Sequence, residues 1–267
     1  MFKKISILFF FAVAFLSVSC SEYQKVLKSE DTKLKYDMAE KLYNEGKYQK
    51  ALAIFDQIVP SYIGKPQGER IIFFYANAYY QVKDYYLAAY QFERFTKSYP
   101  RSEKVEEALF LGAKSQYYIS PKYSIDQKET VKAIDRLQTY INTYPNSERA
   151  EEANFLFQEL RAKLEKKAYE IAKQYNHVQD YKAAVTASDV FLSEYPGSVY
   201  REDALYNKFF ASYSIAINSV ADKMEERLND AKASYNTLTR YFPENKYKKE
   251  ADEMLATIDR ELQQFSK

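Results

Sequence analysis

The chain has 267 residues, of which 46% are hydrophobic, and that much apolar surface excludes a largely disordered protein. Five glycines and seven prolines leave few breakers, so helices should be plentiful and loops short. A formal net charge of +2 supplies no basic excess, which removes the electrostatic basis for nucleic-acid binding. Tyrosine is abundant at 27 and tryptophan absent. A tyrosine ring with its polar tip suits half-buried interfaces as well as cores.

The N-terminus reads as a targeting segment. Lys3 and Lys4 give a basic start, and Ile5 to Val18 is apolar except at Ser6 and Ser17. A membrane-spanning helix needs about 20 such residues, so this run reads as the core of a signal peptide over 1–19. It ends at Ser19-Cys20, the one cysteine of the chain. Cys20 is either an ordinary thiol or the acylated first residue of a mature lipoprotein, and its place directly after the signal core favours lipidation. Ser17 stands where a lipobox usually has leucine, with Leu16 one step further away. Ser21 follows in place of the Asp that retains lipoproteins at the inner membrane in enteric bacteria, which favours the outer membrane. Residues 20–32 then form a lipidated tether. Removing 1–19 takes two lysines and leaves cations and acids equal in number.

Beyond residue 33 a motif recurs. Tyr99-Pro100-Arg101-Ser102, Tyr144-Pro145-Asn146-Ser147, Tyr195-Pro196-Gly197-Ser198 and Phe242-Pro243-Glu244-Asn245 each lead into an acidic, alanine-bearing segment. The prolines lie 45, 51 and 47 apart, with Pro60 40 before the first. A fixed period of this size means a repeat architecture. An aromatic before proline closes one helix, because proline cannot continue it and pushes its predecessor out of the helical region. Ser102, Ser147 and Ser198 are placed to cap the next helix.

A second motif marks the turn inside each hairpin. Asn44-x-Gly46-x-Tyr48-x-x-Ala51 with Phe55 is a tetratricopeptide signature, repeated at Asp84-Tyr85 with Ala88 and Phe92, at Asp180-Tyr181 with Ala184, and weakly at Asn229-Asp230-Ala231. The spacing predicts an all-α, right-handed superhelical solenoid of about five hairpins with a C-terminal capping helix, all within 33–267. The repeats fall at about 33–60, 68–99, 102–144, 147–195 and 199–242, with the cap at 246–265. Their helices are expected at 33–45 and 48–59, 68–82 and 85–98, 102–119 and 128–143, 147–175 and 181–194, then 199–220 and 224–241. Ser120 to Gln127 is a loop inserted in the third hairpin.

No catalytic set emerges. His177 is the one histidine and reads as solvated or capping. A Cys/His metal site cannot be built from one of each, scattered glycines form no phosphate loop, and pairs such as Glu106-Glu107 recur as charges at helix starts. No cofactor and no metal are expected, and the chain reads as no enzyme.

The segment from Ile71 to Val82 stands apart. Ile71, Phe74, Tyr75, Ala78 and Tyr79 make one apolar stripe, and Ile72, Phe73 and Tyr80 fill much of another. Such a helix is either buried between hairpins or carries a binding face. In the second reading Phe74, Tyr75, Asn77, Tyr79 and Tyr80 form an aromatic groove for a peptide, with Asn77 placed to bond its backbone.

Taken together, the lipobox at Cys20, the five repeats, the stretch Tyr75-Ala76-Asn77-Ala78-Tyr79-Tyr80, and the long segment from Ser147 through Leu160-Arg161-Ala162-Lys163-Leu164-Glu165 to Tyr175 resemble the BamD family. That family supplies the lipoprotein subunit of the outer-membrane β-barrel assembly (Bam) machine. The resemblance implies a protein tethered to the cell outer membrane and facing the periplasm. It implies C-terminal repeats that dock the POTRA domains of a BamA-like barrel protein, with other Bam subunits as partners. It also implies N-terminal repeats that recognise the C-terminal targeting strand of unfolded outer-membrane barrel proteins, which typically ends in an aromatic residue. The alternative is a generic periplasmic tetratricopeptide lipoprotein that organises cell-envelope enzymes.

Overall fold

Tyrosine-proline steps and short polar turns divide the chain into helices. A computed structural model describes residues 22–265, and all secondary structure in them is helical. The signal segment 1–19 and Cys20 lie outside the described residues. α1 covers 22–28. It is followed by α2 (Thr32–Asn44), α3 (Tyr48–Tyr62), α4 (Gly68–Gln81), α5 (Tyr85–Ser98), α6 (Val105–Ile119), α7 (Lys128–Thr143), α8 (Ala150–His177), α9 (Tyr181–Glu194), α10 (Arg201–Ile217), α11 (Ala221–Tyr241) and α12 (Lys248–Leu262), with a 3₁₀ turn at Gln263–Phe265. The expected elements are present with ends shifted by up to three residues. α3 runs past Pro60 to Tyr62, because buried Val59 and the Tyr62 ring, 5.9 Å from Tyr36, hold its last turn. Residues of the expected tether are helical too. α1 buries Val26 in the first hairpin's core, with Tyr23 and Leu27 packed beside it.

Three of the hairpin turns, the first, second and fourth, share one geometry. Gly46 takes φ +71°, and Lys83 and Gln179 stand in the equivalent place at φ 64° and 62°. A left-handed residue there lets the chain reverse directly into the second helix. The first turn uses glycine, and its next helix has no side-chain cap. The other two accept a strained Lys or Gln but follow it with Asp84 or Asp180, whose carboxylate accepts from Leu87 N or Ala183 N at 3.2 Å. The expected weak copy at Asn229-Asp230-Ala231 is not a turn. It lies within α11, where Ala231 is fully buried, and the fifth hairpin reverses at 218–220 instead.

The expectation that Ser102, Ser147 and Ser198 cap the next helix is corrected in its detail. Tyr99, Tyr144, Tyr195 and Phe242 leave their helices in nearly the same extended conformation, φ −126° to −136° and ψ 60° to 76°, as the following proline requires. A tight turn then precedes each helix. The serine hydroxyl accepts from the backbone N–H two residues on, at 3.0, 3.1 and 2.9 Å, and the helix starts one residue beyond. Each hydroxyl also donates to a glutamate on an earlier helix: Ser102 to Glu69, Ser147 to Glu106, Ser198 to Glu165. In the last step Lys246 N donates to Glu202 at 2.6 Å.

By contacts the chain forms two compact units. The first, residues 22–121 and 126–160, is built around Phe55, Phe92 and Phe95, with a second cluster around Leu137, Tyr140 and Leu160. The second, residues 122–125 and 161–265, is built around Phe209, Leu228, Leu238 and Ile258, with Tyr169 and Phe191 in a smaller cluster. The boundary falls inside α8. Its first half gives Leu156, Phe157 and Leu160 to the first unit, and its second half gives Tyr169 to the second. In the inserted loop, Ile125 O accepts from Lys167 Nζ at 2.7 Å and Tyr123 lies under the Lys166 ammonium.

Phe92 is fully buried, edge-on to Phe73 at 6.0 Å, and its Cβ lies 3.2 Å from where a Cβ on Gly112 would stand. A helix packed that close cannot collapse into a void. Phe92→Ala should therefore cost the first unit about 3–5 kcal/mol, seen as a lower urea midpoint of its helical circular dichroism.

Candidate functional site

Five residues of α4 were expected to share one groove. A helix turns 100° per residue, and the structure sends the five in three directions. Tyr75 and Tyr79 face α3. Both hydroxyls donate to Asp56 Oδ1, at 2.6 and 3.1 Å, and they stand 3.1 Å from each other. Tyr75 is buried and Tyr79 half-buried. Tyr80 faces the other way, towards Tyr85 at 5.7 Å and Tyr118 at 6.5 Å. Phe74 and Asn77 face α2. Phe74 stacks on Tyr43 at 4.2 Å, and Asn77 donates to the Tyr43 hydroxyl at 2.6 Å. Asn77 also accepts from Gln81 at 3.3 Å, so its amide is already engaged within the chain.

Of the five, Phe74 alone lines a cleft of about 760 Å³ in the first unit. The aromatic wall consists of Tyr36 from α2, Tyr62 from α3, and Phe73 and Phe74 from α4. Three cations stand at it. Arg70 is paired with Glu40 and lies over the Phe74 ring at 5.2 Å. Lys104 is paired with Glu107 and lies over Phe73 at 5.4 Å. Lys33 has no ion-pair partner among the described residues. The acids lining the cleft are Asp37 and Glu69, and Glu69 is held by Ser102. The cleft thus offers flat apolar walls and three cations, two of them already held in ion pairs.

The base of the cleft depends on Gly68. A Cβ there would meet Tyr62 O at 2.1 Å and Tyr99 Oη at 2.5 Å, so α4 can begin against the end of α3 only with glycine. Tyr99 closes the same corner by donating to Lys65 O at 2.9 Å. Sequence reasoning passed over Lys33, Tyr36, Tyr62, Arg70 and Lys104. The signal for part of the set was present in two spacings, Lys33/Tyr36 on α2 and Arg70/Phe73/Phe74 on α4, which place each group on one helix face.

Elsewhere, His177 is exposed at the end of α8. Among the described residues no cluster of three or more His, Cys, Asp or Glu is arranged for a metal. No described helix is long and apolar enough to cross a membrane.

The model of the YfiO family, described as "Outer membrane lipoprotein", matches residues 28–228. No match is found among curated proteins. Among solved structures, that of the MamA protein aligns with 79% of this chain and 94% of its own, at 16% identity and a TM-score of 0.32. A score that low carries no weight, and the architecture rests on the helices themselves.

The tyrosine contacts make stability sensitive to base. Burial, then hydrogen bonding to Asp56, pushes the Tyr75 hydroxyl well above its usual range. Burial and Glu159 push Tyr117 up to about 12, burial and Asp203 do the same for Tyr169, and the bond to Asp252 followed by burial does so for Tyr235. A raised folded-state value means that the folded chain holds these protons more tightly than the unfolded chain. The stabilisation is complete below the ordinary tyrosine value of 10.0 and is lost as pH rises through the folded values. The melting temperature should hold steady up to about pH 10 and fall steeply towards about pH 12. Tyrosinate absorbance should lag in the folded protein and catch up in urea.

Proposed function

The chain belongs to the YfiO family of outer membrane lipoproteins, the family of BamD, and from that premise we propose that it is an outer-membrane-anchored, periplasm-facing scaffold of the β-barrel assembly machine. In this reading Cys20 carries the lipid. A BamA-like barrel protein docks through its POTRA domains on the C-terminal repeats, other Bam subunits join them, and the N-terminal repeats receive unfolded outer-membrane barrel proteins. The protein contributes binding and positioning, with no chemistry of its own.

The observation that carries the substrate side is the cleft between α2 and α4. A chain terminus ending in an aromatic residue has two recognisable features, a flat ring and a carboxylate. The ring fits among Tyr36, Tyr62, Phe73 and Phe74, where burial and edge or face contacts reward it. The carboxylate suits Arg70 and Lys33. Arg70 already holds Glu40, so an incoming carboxylate shares or displaces an existing partner, and the planar guanidinium can accept both. Capture of a C-terminal carboxylate is a known mode of peptide recognition, here with side-chain cations in place of a nest of backbone N–H groups.

A fluorescent peptide ending in free phenylalanine should bind the full-length protein, read by anisotropy. Phe74→Ala and Arg70→Ala should each weaken it roughly tenfold, equivalent to about 1.4 kcal/mol, and amidation of the peptide terminus should weaken it likewise. Tyr80→Ala, whose ring faces Tyr85 and Tyr118, should leave affinity unchanged. Equal loss in all three variants, or indifference to amidation, defeats the cleft assignment. Detergent pulldown of the lipidated protein from its native envelope should bring down a POTRA-bearing barrel protein in near-stoichiometric amount. Recovery of cell-wall enzymes instead would return the chain to the generic scaffold reading.

A further inference from the structure

A docked helix at the start of a lipoprotein fixes more than the core it packs on. α1 begins at residue 22 and buries Val26 among the first hairpin's side chains, at 3% exposure. The family is one of lipoproteins, and the chain has a single cysteine, Cys20, to bear the lipid. Two peptide units separate Cys20 from the start of α1. Even fully extended they reach only about 7 Å, and Val26 lies about 6 Å further along the helix. The hairpin core is therefore tied within roughly 13 Å of the lipidated residue, a distance comparable to the depth of the headgroup layer and its edge.

The direction of α1 decides which end of the hairpin is held there. The C-terminal end of α1 joins α2 at Asp31, which caps that helix. Its N-terminal end lies at the opposite pole, where Lys50, in the first turn of α3, sits 5.5 Å over the Tyr23 ring. The anchor thus leaves the body beside the α2–α3 turn. Exposed cations gather at this pole: Lys25 on α1, Lys41 in the last turn of α2, Lys47 in the turn, and Lys50 on α3. Lys47 is paired with Glu45 at 2.7 Å. Lys25, Lys41 and Lys50 have no ion-pair partner among the described residues, and Glu22 is the other acid at this pole.

We infer that the turn end of the first hairpin rests against the anionic phospholipid headgroups of the membrane that holds the lipid. The short tether brings this surface to the bilayer, and the unpaired lysines match its charge. Tyr23 adds an amphipathic ring of the kind enriched at membrane–water interfaces. This orientation rests on lipid attachment and the docked helix, and is independent of what the cleft binds.

The test uses the full-length lipidated protein in vesicles of phosphatidylethanolamine and phosphatidylglycerol carrying a headgroup energy acceptor. A donor dye is placed at Gln49→Cys, at the turn end, or at Lys65→Cys, at the other end of the same hairpin. The Gln49 site should transfer at least about twofold more strongly than the Lys65 site, in about 1 M salt as well as at low salt, because the tether is insensitive to screening. An insert of about twelve Gly-Ser residues after Ser21 adds reach on the order of 20 Å. It should abolish the difference at high salt and keep it at low salt, where the lysines act alone. The same insert with Lys25→Gln, Lys41→Gln and Lys50→Gln should lose the difference at low salt too. Equal transfer from both dyes in the uninserted protein overturns the inference. A difference that survives the insert and the three substitutions removes both of its physical causes and overturns it as well. Peptide binding, measured in parallel, should be unaffected by the insert, so failure here and failure of the cleft assignment are distinguishable.

Discussion

From the second repeat onward, each repeat depends on how the chain passes the proline that closes it. The residue before it must leave the helical region, and in all four steps it is an aromatic whose backbone N–H still bonds four residues back, to Phe95, Tyr140, Phe191 or Leu238. The chain emerges at a fixed angle, and the serine or asparagine two residues beyond the proline lands near an acid from an earlier helix. Glu69, Glu106 and Glu202 each sit in the first turn of such a helix. One hydroxyl thereby satisfies a turn N–H and holds a carboxylate, so the same atom that sets the entry of a new helix ties it to an older one. Burial of these partly shielded groups would be costly unpaired, and that favours one register over its neighbours.

Glu165 is the exception that explains the long helix. It lies in mid-α8, with Ser198 as its partner. Counted from this latch, the second half of α8 plays the part that a whole first helix plays elsewhere. The first half is surplus to that repeat and fills the core of the preceding unit with Leu156, Phe157 and Leu160. Two packing duties have been joined without a break. Glycine and proline are absent throughout this stretch, so nothing in it stops the helix.

The legibility of the fold and of the site follow from different physics. The helices were readable because their limits are local: an aromatic-proline step, a glycine, an Asp before Tyr. The same locality misled at Asn229-Asp230, since those residues suit a turn but also tolerate a helix when their neighbours, such as Ala231, are buried. Of the five residues expected to form a groove, Phe74 alone lines the cleft. Along α4, Phe74 and Tyr80 are six residues apart and so about 120° apart around the axis, and a groove against one neighbouring helix does not hold both. The remaining cleft residues come from the start of α4 and from α2, α3 and the turns before α4 and α6. Their meeting depends on the close approach at Gly68, a tertiary fact that periodicity within one helix does not carry.

The first hairpin links the two proposals through the length of α2. Lys33 and Tyr36, at its start, belong to the cleft, and Lys41, in its last turn, belongs to the pole beside the anchor. From Lys33 to the end of α2 at Asn44 the helix rises about 16 Å. If the turn end lies on the bilayer, the cleft opens one helix length away from it, in water and beyond the headgroups. A peptide held there by its terminal carboxylate would be kept out of the lipid by a rigid spacer while its chain remained free to extend along other surfaces. The spacer works only because α1 is docked. With Val26 released from the core, the same lipid would anchor the chain without fixing the height of the cleft.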